Sequence, residues 1–573
     1  MKHPPHPRAF FALALMSLAG IHPGAAKAAN TDAPPGIIWS PCPAGFVAPG
    51  WQPIWGERME CGIMAVPLAY DGSATGQFAT ALIRIKAGIP SERQGALFFN
   101  FGGPGASPLD FLPDVAYLWS SASKDDPLDG DKRRLADHFD LIGVVPRGLR
   151  LGDRYDCAPV SDVSDTAARS HDPTINPDDA IWEWFVSIKA AEARACPNEL
   201  KPYIGSLDHV HDMERARLSL GEPVMNFLGI SYGTWVGALY AATYPQHVGR
   251  IVLDSSMNYA GTFENQLDDS ARESQDLFMQ RAVLPAAADP RYGLGTDSQA
   301  ILQKVMRMPP HVLELWVPML RTPADLTAAL IMAPWFYANP DVTPEYLMYR
   351  LQGRHFSADP SISDAIRNAA TQLARTAAHL ARSGRNLLSQ STYGASADEF
   401  ANSQSVYFAT ICGDTPWRKT LPEFRAKAES MLKDYPAASL VSVRFGLVCH
   451  HWGTAPRFHP PLAGLADAPP FLIVNAEFDP ATPLALARRA FAASPSAHMV
   501  IADGMVAHGV FGASATPCVE QSVGHFLLTG ELPEERETHC TFVPRTPKAR
   551  SGRTDGLDPE ERREILFKRL RHS

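Results

Sequence analysis

Four apolar runs, "VMNFLGIS", "RIVLDSS", "PFLIVNAEFD" and "HMVIADG", show almost no alternation of polar and apolar residues. A strand that is apolar on both sides must be covered on both faces, which is the condition of a parallel sheet flanked by helices. "GALFFNFGG" and "FDLIGVVP" have the same character, whereas "CGIMAVPLAY" and "FATALIRIKA" alternate enough to pair antiparallel. Helical patterns such as "DHVHDMERARLSLG" separate several of these segments. Together they predict a mostly parallel, eight-stranded α/β sheet. Between Ser256 and Pro470 the rhythm breaks, and helical patterns such as "ENQLDDSARESQDLFMQRAV" and "ISDAIRNAATQLARTAAHLARSG" replace strands. An inserted helical cap is therefore expected over 258–410, with core on either side at 30–257 and 411–543.

The chain of 573 residues is 45% hydrophobic, enough for a large core and more than one structural unit. Its net charge of −9 argues against a nucleic-acid or anionic-membrane partner, either of which favours a basic face. At the N-terminus, Lys2 and Arg8 precede the apolar "AFFALALMSLAG", and small residues surround Ala26, Ala28 and Ala29. This is the pattern of a signal peptide over 1–29, with an apolar stretch too short to span a bilayer. Export to the periplasm or beyond the cell is expected, with no membrane insertion, as a monomer. The eight cysteines fit an oxidising compartment. Their order suggests the sequential pairs Cys42–Cys61, Cys157–Cys196, Cys412–Cys449 and Cys518–Cys540, although sequence alone leaves connectivity open. "CHHW" at Cys449 lacks a second closely spaced Cys/His pair, which weighs against a zinc site. The charged tail, 544–573, reads as a mobile extension with a short terminal helix.

Gly229-Ile230-Ser231-Tyr232-Gly233 matches G-x-S-x-G. It follows an apolar strand and opens the helical "TWVGALYAATYP". In a strand-to-helix elbow of this kind, small neighbours leave room for a strained serine and for a substrate. A serine hydroxyl is a weak nucleophile and needs a base, which in turn needs an orienting carboxylate. Asp479 ends a strand in "PFLIVNAEFDPATP", and His508 lies in the loop after the next strand. Asp254, at the end of "RIVLD", is a rival acid. Negative charge on a tetrahedral intermediate requires preset donors. The "NFGGPGAS" turn and the residue after the nucleophile supply them, as the N–H groups of Gly103 and Tyr232. "GGPGAS" lacks the spacing of a dinucleotide-binding loop.

These motifs resemble the α/β-hydrolase fold and, within it, the tripeptidyl-aminopeptidase branch of the prolyl-iminopeptidase-like serine peptidases. "GGPGAS", "GISYGT", "ICGD", "CHHW" and "FDPATP" carry the resemblance. It implies Ser231, Asp479 and His508 as triad, a helical cap, and release of short peptides or residues from free N-termini. Two departures stand out. "VVPRGLRLGD" has Val145 where the branch has Asp, while Arg147 and Gly148 remain, and "VLDSSMN" replaces an LDG-type run.

Three function classes follow. An exopeptidase needs an acid for the substrate ammonium, because burying that charge unpaired is costly; Glu264, Asp268, Asp269 and Asp414 are candidates, with Asp414 and Glu264 foremost. An esterase acting on small acyl esters would use the same triad. A non-catalytic binding protein on the same scaffold would be expected to have lost triad residues, and all three are present. The substrate is a peptide or a small acyl compound, and the chemistry calls for no cofactor and no metal.

Overall fold

A computed structural model describes residues 36–160, 179–309, 312–313, 316–338, 343–382, 397–435, 440–456, 462–545 and 559–570. The expected signal peptide lies outside these residues, as do 546–558 and 571–573 of the expected tail.

One sheet organises the fold. Its strands are β1 (Ile37–Ser40), β2 (Met59–Pro67), β3 (Gln77–Ile85), β4 (Gly95–Asn100), β5 (Phe139–Val144), β6 (Met225–Ile230), β7 (Val248–Asp254), β8 (Leu472–Ala476), β9 (His498–Asp503) and β10 (Glu537–Thr541). They lie in the order β1-β2-β3-β5-β4-β6-β7-β8-β9-β10. The first three pair antiparallel, β3 meets β5 antiparallel, and every later pairing is parallel. Every residue of β4, β5, β6 and β8 is buried, as their apolar sequences require.

The sheet has ten strands, not the eight expected. The two extra strands are the edges, where burial is least demanding. β1 is four residues of alternating exposure, and in β10, "ETHCT", only Cys540 is buried. Neither carries the apolar run that marks a buried strand. All four disulfides form, in the sequential pairing. Cys518–Cys540 fastens β10 to the helix Pro517–Thr529, and Cys449 is committed to Cys412 rather than to a metal.

The helical insertion has its own core, in which Trp316, Leu326, Leu347 and Ile366 are fully buried. That core runs from Phe278 to Ala374. The expected boundary at 410 falls inside the helix Ala397–Asp414, whose Val406, Ala409, Ile411 and Cys412 belong to the main core instead. The apolar face of that helix is drawn to the sheet domain, so the cap ends before it. A third, smaller cluster joins the helices Asp179–Arg194 and Leu421–Asp434 through Trp182, Phe185, Phe424 and Met431.

The end of the tail also departs from expectation. Pro559–Leu570 is a helix with Leu566, Phe567 and Leu570 buried in the main core, packed on the helix Pro108–Ser120. Four of its twelve residues are Arg or Lys, and this charge masks a short apolar face in the sequence.

Replacing Cys518 and Cys540 together by Ser should cost about 3 kcal/mol, the loop-closure value for a bridge of this span. Urea unfolding checks this. An unchanged midpoint would show that the β10 edge holds without its covalent tie.

Candidate active site

The serine elbow is built by close backbone approaches. Ser231 has φ 58° and ψ −122°, a conformation that costs a non-glycine residue on the order of 1–3 kcal/mol. A Cβ at Gly229 would stand 2.3 Å from the Gly233 carbonyl oxygen, and one at Gly233 would stand 2.4 Å from the Asn100 carbonyl oxygen. Both glycines are therefore required by space, with Ser231 between them at the N-terminus of the helix Tyr232–Thr243. The Ser231 N–H donates to the Asp254 carbonyl at 3.0 Å, which ties the elbow to the end of β7.

The same end of β7 holds the histidine loop. The Gly509 N–H donates to Ser255 Oγ at 2.8 Å, and the Val510 and Phe511 N–H groups donate to the Asp254 carboxylate at 2.9 Å each. Burial raises the Asp254 carboxyl to about 6 against the pull of those two N–H bonds. Asp254 is thus occupied with backbone, and it is Asp479 that faces His508. The Nδ1 of His508 lies 3.0 Å from both Asp479 oxygens. Asp479 is itself fixed by the N–H groups of Ala481 and Thr482, each at 2.9 Å. The Thr482 hydroxyl lies 3.1 Å from Asp479 Oδ2 and 2.9 Å from the Ser255 carbonyl, joining the acid's turn to β7 as well. His508 and Asp479 are 2% and 1% exposed, so this pair is shielded from water.

Sequence reasoning missed Ser255. It has φ 58° and stands where the resembled branch has the glycine of its LDG run. Its hydroxyl gains the Gly509 N–H in return for the strain, which accounts for the "VLDSS" departure.

The GGPG turn presses against the elbow. Gly102 has φ 92°, and a Cβ there would lie 2.8 Å from the Ile230 carbonyl oxygen and 2.9 Å from Ser231 Cβ. The Gly102 N–H is taken by Asn100 Oδ1 at 3.0 Å. Asn100 Nδ2 in turn donates to His209 Nε2 at 3.2 Å. His209 is fully enclosed, and burial pushes its imidazole down to about 4, so it is neutral and able to accept that bond. On the outer side, Ser403 of the helix Ala397–Asp414 donates its hydroxyl to the Gly105 carbonyl at 2.9 Å.

The candidate amine-binding acids separate clearly. Glu264 accepts the Arg418 N–H at 3.1 Å and pairs with Lys419 at 3.2 Å, so it is already neutralised and the expectation for it is corrected. Asp268 pairs with Lys419 and Lys427, and Asp269 with Arg272 and Arg489. Asp414 has neutral partners, the N–H and hydroxyl of Ser206. The Ser206 hydroxyl lies 2.5 Å from Tyr232 Oη, which links Asp414 to the residue after the nucleophile. Burial raises the Asp414 carboxyl to about 7, and the Ser206 bonds offset this only in part. Asp414 and Asp208 line a cavity of about 380 Å³ with Tyr70, Lys201, His211 and Tyr244. Arg147 serves the fold instead. Only 2% exposed, it binds Asp212 at 2.7 Å and the carbonyls of Pro67 and Leu68.

Two family models match the chain: the α/β-hydrolase fold over residues 134–339 and the TAP-like protein family over 435–540. The chain has the α/β-hydrolase fold, with a C-terminal region that matches the TAP-like family. The fold, together with the curated peptidase relatives that match along the chain, makes it a serine hydrolase. The tripeptidyl aminopeptidase of Streptomyces lividans is 26% identical over 529 residues, 90% of this chain and 89% of that protein. The serine protease Hip1 of Mycobacterium tuberculosis is 27% identical over 290 residues, 49% of this chain and 52% of its own length. Carboxylesterase B of Mycobacterium tuberculosis is 26% identical over 500 residues, 82% of this chain and 85% of that protein. Among the described residues no helix is long and apolar enough to cross a membrane.

Ser255→Ala should destabilise the hydrolase more than Ser255→Gly. Alanine keeps the unfavourable φ and loses the acceptor, at about 1–3 kcal/mol, whereas glycine relieves the strain while losing the same bond. Equilibrium unfolding ranks the two, and the reverse order would show that the hydroxyl does not hold the loop.

Proposed function

We propose that this hydrolase is an exported serine exopeptidase that releases short peptides or residues from free peptide N-termini. The carrying observation is that β7 anchors both the Ser231 elbow and the His508 loop, with the His508 Nδ1 3.0 Å from Asp479. The peptidase relatives and the four disulfides, which suit an exported protein, support the same reading.

In this reading Ser231 Oγ attacks the peptide carbonyl carbon as His508 Nε2 takes its proton. Asp479 holds the Nδ1–H and stabilises the imidazolium. The carbonyl oxygen becomes an anion facing the N–H groups of Gly103 and Tyr232. His508 then gives the proton to the leaving amine, the C–N bond breaks, and an acyl-serine remains. Water enters, His508 takes its proton, and the second collapse frees the released peptide and Ser231.

Asp414 is the acid proposed for the substrate ammonium. Among the described residues its carboxyl has no cationic partner, and an arriving ammonium would favour its charged form. With the carboxyl at about 7, it is largely neutral in mild acid and ionises as pH rises through neutrality. A second reading, an esterase with the same triad, is favoured by the similarity to carboxylesterase B. Acyl transfer to water differs between the two mainly in the leaving group.

Ser231→Ala should lower turnover by on the order of a thousand-fold or more while leaving substrate binding intact. Near-normal turnover would reject the triad. A free-amine aminoacyl or tripeptidyl chromogenic substrate should be cleaved and its N-acetyl form should not; fast p-nitrophenyl butyrate hydrolysis without amide cleavage would select the esterase reading.

The pH dependence isolates Asp414. The kcat/KM for a free-amine substrate should rise through about pH 7 more steeply than that for a neutral ester on the same enzyme. Asp414→Asn should abolish the difference between the two profiles. Identical profiles in the unaltered enzyme would remove Asp414 from substrate recognition.

A further inference from the structure

We propose that the C-terminal helix Pro559–Leu570 is a positioning element for His508, forming the outer jaw of a clamp whose inner jaw is the end of β7. The proposal rests on the reading of His508 as the catalytic base.

The loop that carries His508 continues as Gly509, Val510, Phe511 and Gly512. From the inside, Ser255 and Asp254 hold the N–H groups of 509, 510 and 511. From the outside, the C-terminal helix meets the two glycines. Gly509 and Gly512 have φ 81° and 87°, and a Cβ on them would lie 3.4 and 3.5 Å from the Phe567 ring. The ring therefore lies against bare backbone one and four residues past His508. Arg563 Nη1 donates to the Gly512 carbonyl at 2.7 Å, while the Gly512 N–H is taken by Glu520 at 2.9 Å. Both polar groups of Gly512 are thus held, one by the C-terminal helix and one by the helix Pro517–Thr529.

Charge fixes the helix in this place. Arg563 Nη2 reaches Asp129 at 3.0 Å, and Lys132 bridges Asp129 at 2.8 Å to Glu520 at 2.5 Å. Arg563, Asp129, Lys132 and Glu520 are all buried. Burial opposes ionisation of Asp129, yet Lys132, Arg563 and Arg545 hold its carboxyl well below the usual range. One residue before Arg563 and six after it, Arg562 and Arg569 both face Asp114 on the helix Pro108–Ser120, at 3.7 and 3.2 Å. The spacing 562, 563, 566, 567, 569, 570 gives the helix one apolar-and-arginine face, and that face is spent on Asp114, Asp129 and the histidine loop.

A base misplaced by a fraction of an ångström loses rate without losing substrate affinity, because proximity is what it supplies. This separates a positioning role from a merely stabilising one. The test compares the unaltered full chain with Phe567→Ala, Arg563→Ala, Arg563→Lys and a chain ending at 558. Active sites are counted by fluorophosphonate titration, so that misfolded molecules do not enter the rates.

Per titrated site, Phe567→Ala and Arg563→Ala should lose about ten-fold or more in kcat, with KM within about two-fold. The rate of Ser231 labelling should fall in parallel. Arg563→Lys, whose single ammonium cannot span Asp129 and Gly512 as the guanidinium fork does, should fall between the unaltered enzyme and Arg563→Ala. A synthetic peptide of residues 556–573 should restore activity to the shortened chain. Unchanged kcat and labelling rate per site in Phe567→Ala and Arg563→Ala, with only a lower melting temperature, would overturn the positioning role and leave the triad standing. An unaltered chain that the fluorophosphonate fails to label at Ser231 would overturn the triad and the clamp together.

Discussion

Asp254 is the residue on which the candidate site depends. Its carbonyl accepts the N–H of Ser231, and its carboxylate accepts the N–H groups of Val510 and Phe511. One side chain and one peptide group thus tie the Ser231 elbow and the His508 loop, far apart in sequence, to the same strand end. Hydrogen bonds to a buried carboxylate are stronger than neutral ones and costly to leave unmade, so this junction resists fraying. Ser255 extends it by one residue toward Gly509, and Thr482 extends it toward Asp479. Asp479, His508 and Ser231, the proposed triad, therefore share a single reference point at the carboxyl end of β7.

Buried acids in this molecule are sorted by their partners. Asp129 sits among lysine and arginine and is held ionised. Glu264 is matched by Lys419 and two backbone N–H groups. Asp414 has neutral partners alone, and burial lifts it to about 7. That condition is the ground for proposing Asp414 as the acid for a substrate cation, whereas the others are already paired within the fold. Perturbed pKa values cluster at functional sites, and Asp414 combines such a shift with a place on a cavity wall.

Much of this was legible in the sequence because apolar runs, glycine spacing and strand-end acids each have a direct structural cause. The central strands read correctly since both faces are buried, and the elbow read correctly since Gly229 and Gly233 have no room for a Cβ. The edge strands β1 and β10 did not read, because an edge needs no apolar run. The short terminal helix was expected, but its docking did not read, because the three side chains it buries are interspersed among arginines whose partners, Asp114 and Asp129, lie more than four hundred residues away. Ser255 could have been suspected from its place in the "VLDSS" departure, but its backbone angle is set by tertiary contacts with Gly509 and Val474 that no local pattern encodes. Choosing Asp414 over Glu264 required knowing that Lys419 lies across from the latter.

The measurement that bears most directly on the account is a crystal structure of the enzyme after reaction with a peptidyl fluorophosphonate. The account predicts phosphorus bonded to Ser231 Oγ, a phosphonyl oxygen about 2.7–3.1 Å from the N–H groups of Gly103 and Tyr232, and His508 Nε2 turned to the serine with Nδ1 still on Asp479. An adduct on another residue, or one on Ser231 with His508 facing away from it, would contradict the account.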